Sequence, residues 1–467
     1  MVTAEDIFRK IKDLIIYALM AWPFIWDNAN KLTMKKAFGI HVESGLVFNF
    51  LPDETKYLEA IILFFLFAVL LIDKYIFHKK IELPFLKYLF IALLIASCTQ
   101  IANGIINNNL VNFKTYDLLY KFYRPLILFT IIYYFASDPY QNMIKVNLVF
   151  FFFIGLNVLI AIYQILTYTY GVDMVTGFMR SAHTLGIILL YFMVAVFFYL
   201  KEKPNIISLL CFVLSMTLFL YTSNVKLVFL LFFTIFAYTI FDNRIQLKKS
   251  ILYIVVFLLL FFLTRYIILR FNIQGFDRIE NLLKYPLIDY PIIKTIYYIP
   301  VIFKENFCAP FLMGFGHGYF DNADIIIFNL DDLQARELIY YKYKKLFLYL
   351  KIHGNQIELI PITMLLVPFS SALCLLYEEG FVAFALYLYM FYLTFVGLKK
   401  IRQNNKNLPK FYIETVWFIF LLSMLNILII PGANVIANIT FLFPLLINLG
   451  LLFKYQTTIK NKKFIHQ

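Results

Sequence analysis

Apolar residues in this chain do not recur along one helical face or alternate in twos; they run in blocks separated by short polar gaps. A block of about 20 residues is what a helix needs to cross the hydrocarbon layer of a bilayer. The blocks predict twelve helices, over 14–26, 57–77, 84–102, 118–136, 146–168, 184–200, 206–222, 226–241, 250–269, 380–398, 412–430 and 435–453. The first is short and carries Trp22, Pro23 and Trp26. One stretch breaks the rhythm: from Arg270 to Glu379 about 110 residues form no clean span. It holds the charge clusters Asp277-Arg278 and Asp331-Asp332 and a glycine-rich turn, Gly314-Phe-Gly-His-Gly318. Residues 357–377 are apolar, but Glu358, Pro361, Pro368, Ser370 and Ser371 interrupt them. The pattern predicts an all-α, polytopic membrane protein. Helices one to nine occupy 1–269, a large extracytoplasmic loop subdomain, helical and partly re-entrant, occupies 270–379, and helices ten to twelve with a cytoplasmic tail occupy 380–467.

Charge orients the array, because cytoplasmic loops retain Lys and Arg. With the N-terminus inside, residues 9–12, 79–80, 145, 201–203, 244–249, 399–410 and 454–463 hold 20 lysines and arginines, against 6 in the short loops opposite. Counting 357–377 as a further span would move the basic segment 399–410 outside. Both termini are therefore expected in the cytoplasm and 270–379 across the membrane. No repeat of one half in the other is visible, which weighs against a transporter.

Composition agrees: 62% of the 467 residues are hydrophobic and 15% charged, with a mean hydropathy of +0.77. A soluble domain has about 45–50% apolar and about 25% charged residues. The net charge of +14 would otherwise suggest nucleic acid, but the basic residues fall in the gaps that set topology. Membrane lipids, not nucleic acid, are the expected surroundings. Of the four cysteines, Cys98, Cys211 and Cys374 lie in apolar helical sequence and Cys308 in a loop. There is no CxxC or Cys/His cluster, so neither a disulfide framework nor a metal site is supported, and no cofactor is expected. No small-residue cleavage site follows the first apolar stretch, so it reads as a retained helix rather than a signal peptide.

Charges inside spans carry the most information, since each costs about 2.5–3.5 kcal/mol at mid-bilayer on insertion scales. Asp73, Lys74, Lys87 and Glu414 lie near inner ends. The others fall on the outer side. Lys121 and Arg124 sit in the first two turns of an inward-running helix, Lys226 opens another in Thr222-Ser-Asn-Val-Lys226, and Arg265 and Arg270 close one that exits outward. At the rise of a helix these lie within about 10 Å of the outer boundary. Arg180 occupies a short outer loop and Arg278 opens the outer subdomain. Snorkelling to the headgroups accounts for any one of them. Together they run against the positive-inside rule, and a bound phosphate or pyrophosphate would offset that cost.

Three histidines are candidates beside them. His183 sits at an outer helix mouth, where a plain interfacial role competes with a role in the site. His317 lies in the glycine turn, where backbone geometry is the competing explanation. His353 lies in the outer subdomain near Glu358, and a neutral imidazole there has the pKa range of a general base. His41, His78 and His466 read as solvated surface. Glu378 enters an apolar helix from outside, where it either pairs with an outer arginine or gains from the helix N-terminus.

These residues also carry a family resemblance. Arg180 ahead of His183-Thr-Leu-Gly186 resembles the Arg-containing outer loop of the O-antigen polymerases and O-antigen ligases. Thr222-Ser-Asn-Val-Lys226 resembles that family's Thr/Ser-rich turn followed by a basic residue, usually Arg. Arg278 and then Phe311-Leu-Met-Gly-Phe-Gly-His-Gly-Tyr-Phe320 are similar to its Arg followed by Gly-x-Gly-x-Gly-x-Phe. Leu373, Leu376, Glu378 and Gly380 match the end of its H-[NS]-x-x-L-x-x-L-x-E-x-G motif, and the whole resemblance spans 180–398. One position departs: the family histidine falls at Phe369, with Ser370 in the Asn/Ser place.

The resemblance implies a metal-independent glycosyltransferase that joins polyprenyl-diphosphate-linked oligosaccharide repeat units on the periplasmic face of the bacterial inner membrane. Arg180, Lys226 and Arg278, with Arg124, Arg265 and His183 beside them, would hold the diphosphate and glycan. His353, His317 or Glu378 would supply the catalytic proton transfer. A chain-length regulator is the protein partner it admits. The ligases depend on the histidine that Phe369 replaces, so the expectation is a polymerase, with the ligase as the alternative within the family. A lipid-linked oligosaccharide flippase is the alternative of another class, and the near absence of midplane charge disfavours it.

Overall fold

In hydrocarbon each backbone amide must find its partner within its own segment, so uninterrupted apolar sequence becomes helix whatever its β-branched and aromatic content. The computed structural model describes residues 4–28, 58–77, 83, 85–106, 113–167, 175–177, 179, 182–222, 225–241, 255, 351–353, 356–358, 371–405, 407–429 and 439–465. These form the helices α1 (Ala4–Asn28), α2 (Leu58–Tyr75), α3 (Leu86–Ile106), α4 (Phe113–Phe135), α5 (Pro139–Thr167), α6 (Ala182–Glu202), α7 (Ile206–Tyr221), α8 (Val225–Phe241), α9 (Ser371–Asn404), α10 (Lys410–Ile429) and α11 (Ile439–Ile465). Five of them, α5, α6, α9, α10 and α11, contain stretches long and apolar enough to cross a membrane. The protein is a helical membrane protein. The span expected over 250–269 and most of the 270–379 subdomain lie outside the described residues. Within that subdomain a short hairpin pairs β1 (Lys351–His353) with β2 (Gln356–Glu358), a local departure from the expected helix.

Several helices outrun their apolar blocks. The first begins at Ala4 rather than 14, α4 at Phe113 rather than 118, and α11 continues to Ile465 rather than 453. Hydropathy marks only the part a bilayer would cover, whereas backbone hydrogen bonding continues into polar turns until a cap or breaker intervenes. Caps explain two starts. Asp138 accepts the Gln141 amide at 3.2 Å ahead of Pro139 in α5, and Asn205 accepts the Ser208 amide at 2.8 Å ahead of α7. The start of α10 is capped from another helix: the Glu202 carboxylate at the end of α6 accepts the Phe411 amide at 2.7 Å.

Packing centres on α11, which lies against α4, α5 and α1, and on α10, which joins α6, α8 and α9. Lipid tails are as apolar as leucine, so close approach and buried polar pairs drive helix association. At Gly450 an added Cβ would stand 2.9 Å from both Ile132 Cβ and Phe129 O, so this glycine sets the α4–α11 distance.

One end of the bundle gathers the polar termini. Asp13 on α1 accepts from Ser137 at 2.8 Å and from Asn142 at 2.7 Å, and Asp73 on α2 accepts from Tyr134. Arg402 on α9 donates to Glu414 on α10 at 2.9 Å and lies over the rings of Tyr238 and Trp417, while Tyr238 donates to the same carboxylate at 2.7 Å. Lysines and arginines of the basic segments 9–12, 145, 201–203, 399–402 and 454 belong to these helix ends, so the alternating charge pattern becomes one basic rim. The Arg402–Glu414 pair is nearly buried, with side chains 13% and 10% exposed. Breaking such a pair from one side strands the other charge, at a cost of about 3–5 kcal/mol. Arg402→Met should therefore lower the thermal midpoint in detergent sharply, and adding Glu414→Leu should recover most of the loss. Equal midpoints for wild type and Arg402→Met would show that the pair does not hold α9 to α10.

Candidate functional site at the opposite end of the bundle

Each helix that starts on the basic rim carries its other end to the far side, and the described residues of two of the sequence motifs, 182–186 and 222–226, meet there. The α5 helix arrives with Gln164 in its last turn. The Gln164 side chain is completely buried and is spent on one turn of chain: its Oε1 accepts the amides of Thr176 at 3.0 Å and Gly177 at 2.9 Å, and its Nε2 donates to Gly177 O at 3.1 Å. Gly177 has φ +58°, and a Cβ there would meet Asn157 Oδ1 at 2.9 Å, so the turn demands glycine. Met179 follows, fully buried, and Arg180 comes next in the chain.

The helix α6 then begins with His183 as its second residue. Four residues into it, Gly186 faces the end of α7, where an added Cβ would lie 2.7 Å from Thr222 Oγ1. Thr222 donates to Phe219 O at 2.6 Å and is buried. Lys226 is the second residue of α8, and Leu227 beside it also borders Gly186. The structure thus brings the 180–186 motif and the 222–226 motif into contact through Gly186 and Thr222, although they lie at opposite ends of the α6–α7 hairpin in sequence. At the backbone, His183 and Lys226 each stand one residue inside the start of a helix.

Arg124 departs from its expected place. Because α4 starts at Phe113, Arg124 is its twelfth residue, about 16 Å along the helix at 1.5 Å per residue. It is 8% exposed, with its guanidinium carbon 5.8 Å from the centre of the Phe443 ring on α11. Its side chain is enclosed by protein, so snorkelling does not describe it. The neighbouring Tyr123 packs edge-on to Tyr387 of α9 at 6.0 Å, which ties α4 to the helix carrying Glu378.

Glu378 is not at a helix N-terminus: it is the eighth residue of α9, two before a break at Gly380 with φ +83° and ψ +173°. A conformation of that kind is open to glycine and strained for other residues. The glycine of the Glu-x-Gly motif is thus a kink between two helical pieces. His353 ends β1, opposite Gln356, while Glu358 pairs in register with Lys351 rather than with the histidine. Arg180, Arg265, Arg278 and His317 lie outside the described residues.

Sequence reading by charge missed Gln164 and Asn157 as builders of this end; an amide in an otherwise apolar run was the available signal. Replacing Gln164 with Leu strands two buried amides, each worth about 1–3 kcal/mol when unsatisfied. The Gln164→Leu protein should lose several degrees in thermal midpoint; an unchanged midpoint would mean the amide does not hold the turn. No protein-family model matches the chain, and no curated protein does.

Proposed function

We propose that this chain is a membrane glycosyltransferase of the O-antigen polymerase type, which joins polyprenyl-diphosphate-linked oligosaccharide repeat units at the outer face of the bacterial cytoplasmic membrane. The carrying observation is Arg124 enclosed by the bundle, in a helix tied to α9, together with the contact between the 180–186 and 222–226 motifs at the end away from the basic rim. A guanidinium forms strong paired hydrogen bonds to phosphate oxygens. In this reading an acceptor sugar hydroxyl attacks the anomeric carbon of the donor. The carbon–oxygen bond to the diphosphate breaks, the hydroxyl proton passes to a base, and polyprenyl diphosphate leaves. Arg124, with Arg180, Lys226 and Arg278, neutralises the charge that develops on the departing diphosphate, which is the principal electrostatic contribution. Apolar helices hold the prenyl chains, and no step calls for a metal.

A deletion strain tests the reading. Loss of a polymerase leaves core carrying one repeat unit; loss of a ligase leaves bare core. Reconstituted vesicles that flip labelled lipid-linked repeat units without lengthening them would replace it with the flippase. Orientation is tested separately. With both termini cytoplasmic and 270–379 outside, a phosphatase fused at Asn329 should be active and a fluorescent protein fused after Gln467 should fold and fluoresce. A phosphatase silent at Asn329 would overturn this topology.

A further inference from the structure

A second polar cluster stands at the basic end, remote from the chemistry proposed above. Asn147 on α5, Tyr191 on α6, Tyr412 on α10 and Asn448 on α11 meet between their four helices. The Tyr412 hydroxyl donates to Asn448 Oδ1 at 2.8 Å, and Asn147 Nδ2 donates to the same oxygen at 3.1 Å. Asn448 Nδ2 in turn donates to Pro444 O at 2.7 Å. This network fixes the spacing of α5, α10 and α11, and Tyr191 of α6 lies beside it.

The spacing leaves a groove of about 270 Å³. Asn448 and Tyr191, 1% and 4% exposed, form its floor, and Ala195 adds no bulk to the wall. Ile144, Leu148 and Phe151 form its rim and are exposed, so the groove opens sideways toward hydrocarbon rather than toward water. A volume a little below the roughly 300–1,000 Å³ of small-molecule sites suits one lipid chain. Charge selects the head group. The groove ends on the basic rim at Leu408 and Pro409, and the exposed Lys410 follows directly. Lys145 on α5 turns away from the groove, its ammonium 5.8 Å from the centre of the Tyr17 ring on α1. Lys201 and Lys203 flank Glu202, whose carboxylate is already committed to the Phe411 amide.

We infer that this groove binds an anionic glycerophospholipid of the leaflet on the basic side, with one acyl chain between α5, α6 and α10 and its phosphate among Lys410 and the α6 lysines. The diphosphate of a polyprenyl donor belongs, in the function proposed above, at the opposite end, which favours a phospholipid over the donor as occupant.

The test uses the full chain, purified and stripped of lipid, with equal amounts of phosphatidylglycerol, phosphatidylcholine and undecaprenyl phosphate, read by native mass spectrometry. Phosphatidylglycerol should be retained about tenfold more than phosphatidylcholine, and Lys410→Gln should weaken its binding about fivefold, the worth of one lysine near an anionic surface. Ala195→Phe fills the groove and should abolish retention. Its lipid-free thermal midpoint is measured alongside, and if that falls, the exposed Lys410→Gln carries the test. Equal retention of the two phospholipids, preference for undecaprenyl phosphate, undiminished binding by Lys410→Gln, or unchanged retention by a folded Ala195→Phe protein would each overturn the assignment.

Discussion

Replacing Arg124 with methionine is expected to leave an inserted, folded protein whose chain growth falls at least about 100-fold, the range seen when one preorganised donor is removed from a developing anion. Methionine keeps the length and apolar contact of the side chain and removes the charge. Arg124→Lys should recover only part of the activity, because an ammonium keeps the charge without the planar fork that grips two phosphate oxygens. A structural role for Arg124 makes a different pattern. Its stacking over Phe443 is worth about 0.5–2 kcal/mol and would be kept by lysine and lost with methionine. Thermal midpoint and polysaccharide ladder are therefore read together at matched expression. A full ladder from Arg124→Met would remove Arg124 from the anion site. A ladder that falls only in step with the midpoint would make it a packing residue.

What could be seen in the sequence divides along a physical line. Local composition decides whether a segment lies in hydrocarbon, so the apolar stretches of α5, α6, α10 and α11 and their basic ends were legible from patterning alone. Helix length was not: α4 keeps its hydrogen bonds through Lys114 and Asp117, and those extra turns carry Arg124 to its enclosed place. Contacts between distant segments were not legible either. Gly186 is an unremarkable residue of an apolar helix until Thr222 stands 2.7 Å from where its Cβ would be. Likewise Gln164 gives no hint of its partners twelve and thirteen residues on, and Asn448 gives none of Asn147. Gly380 lay between these cases. The sequence marks it as the end of a motif and the start of a span, and the structure makes it a kink inside a longer helix, with a non-helical φ of +83°.

The assignment of the base carries the other large effect. Phe369 stands where the resembled family has its histidine and cannot accept a proton. In the proposed transfer, the proton of the attacking hydroxyl would then go to a group elsewhere in 270–379 or pass to water as the diphosphate departs. His353 is the first choice: it ends β1 at the tip of a hairpin, opposite Gln356, and leads into the apolar sequence that reaches Phe369 and α9. His317, within three glycines, is the second choice, and Glu378, two residues before the break at Gly380, is the third. General-base assistance contributes about 10²–10⁴-fold, so loss of the true base should nearly abolish chain growth while the protein remains in the membrane. The readout is ladder formation by His353→Ala, Glu378→Gln and His317→Ala at matched expression. His353→Ala is expected to leave single repeat units, with the other two retaining longer chains. A wild-type ladder from His353→Ala excludes it as the base, and full activity from all three variants means that departure of the diphosphate drives the transfer without any of them.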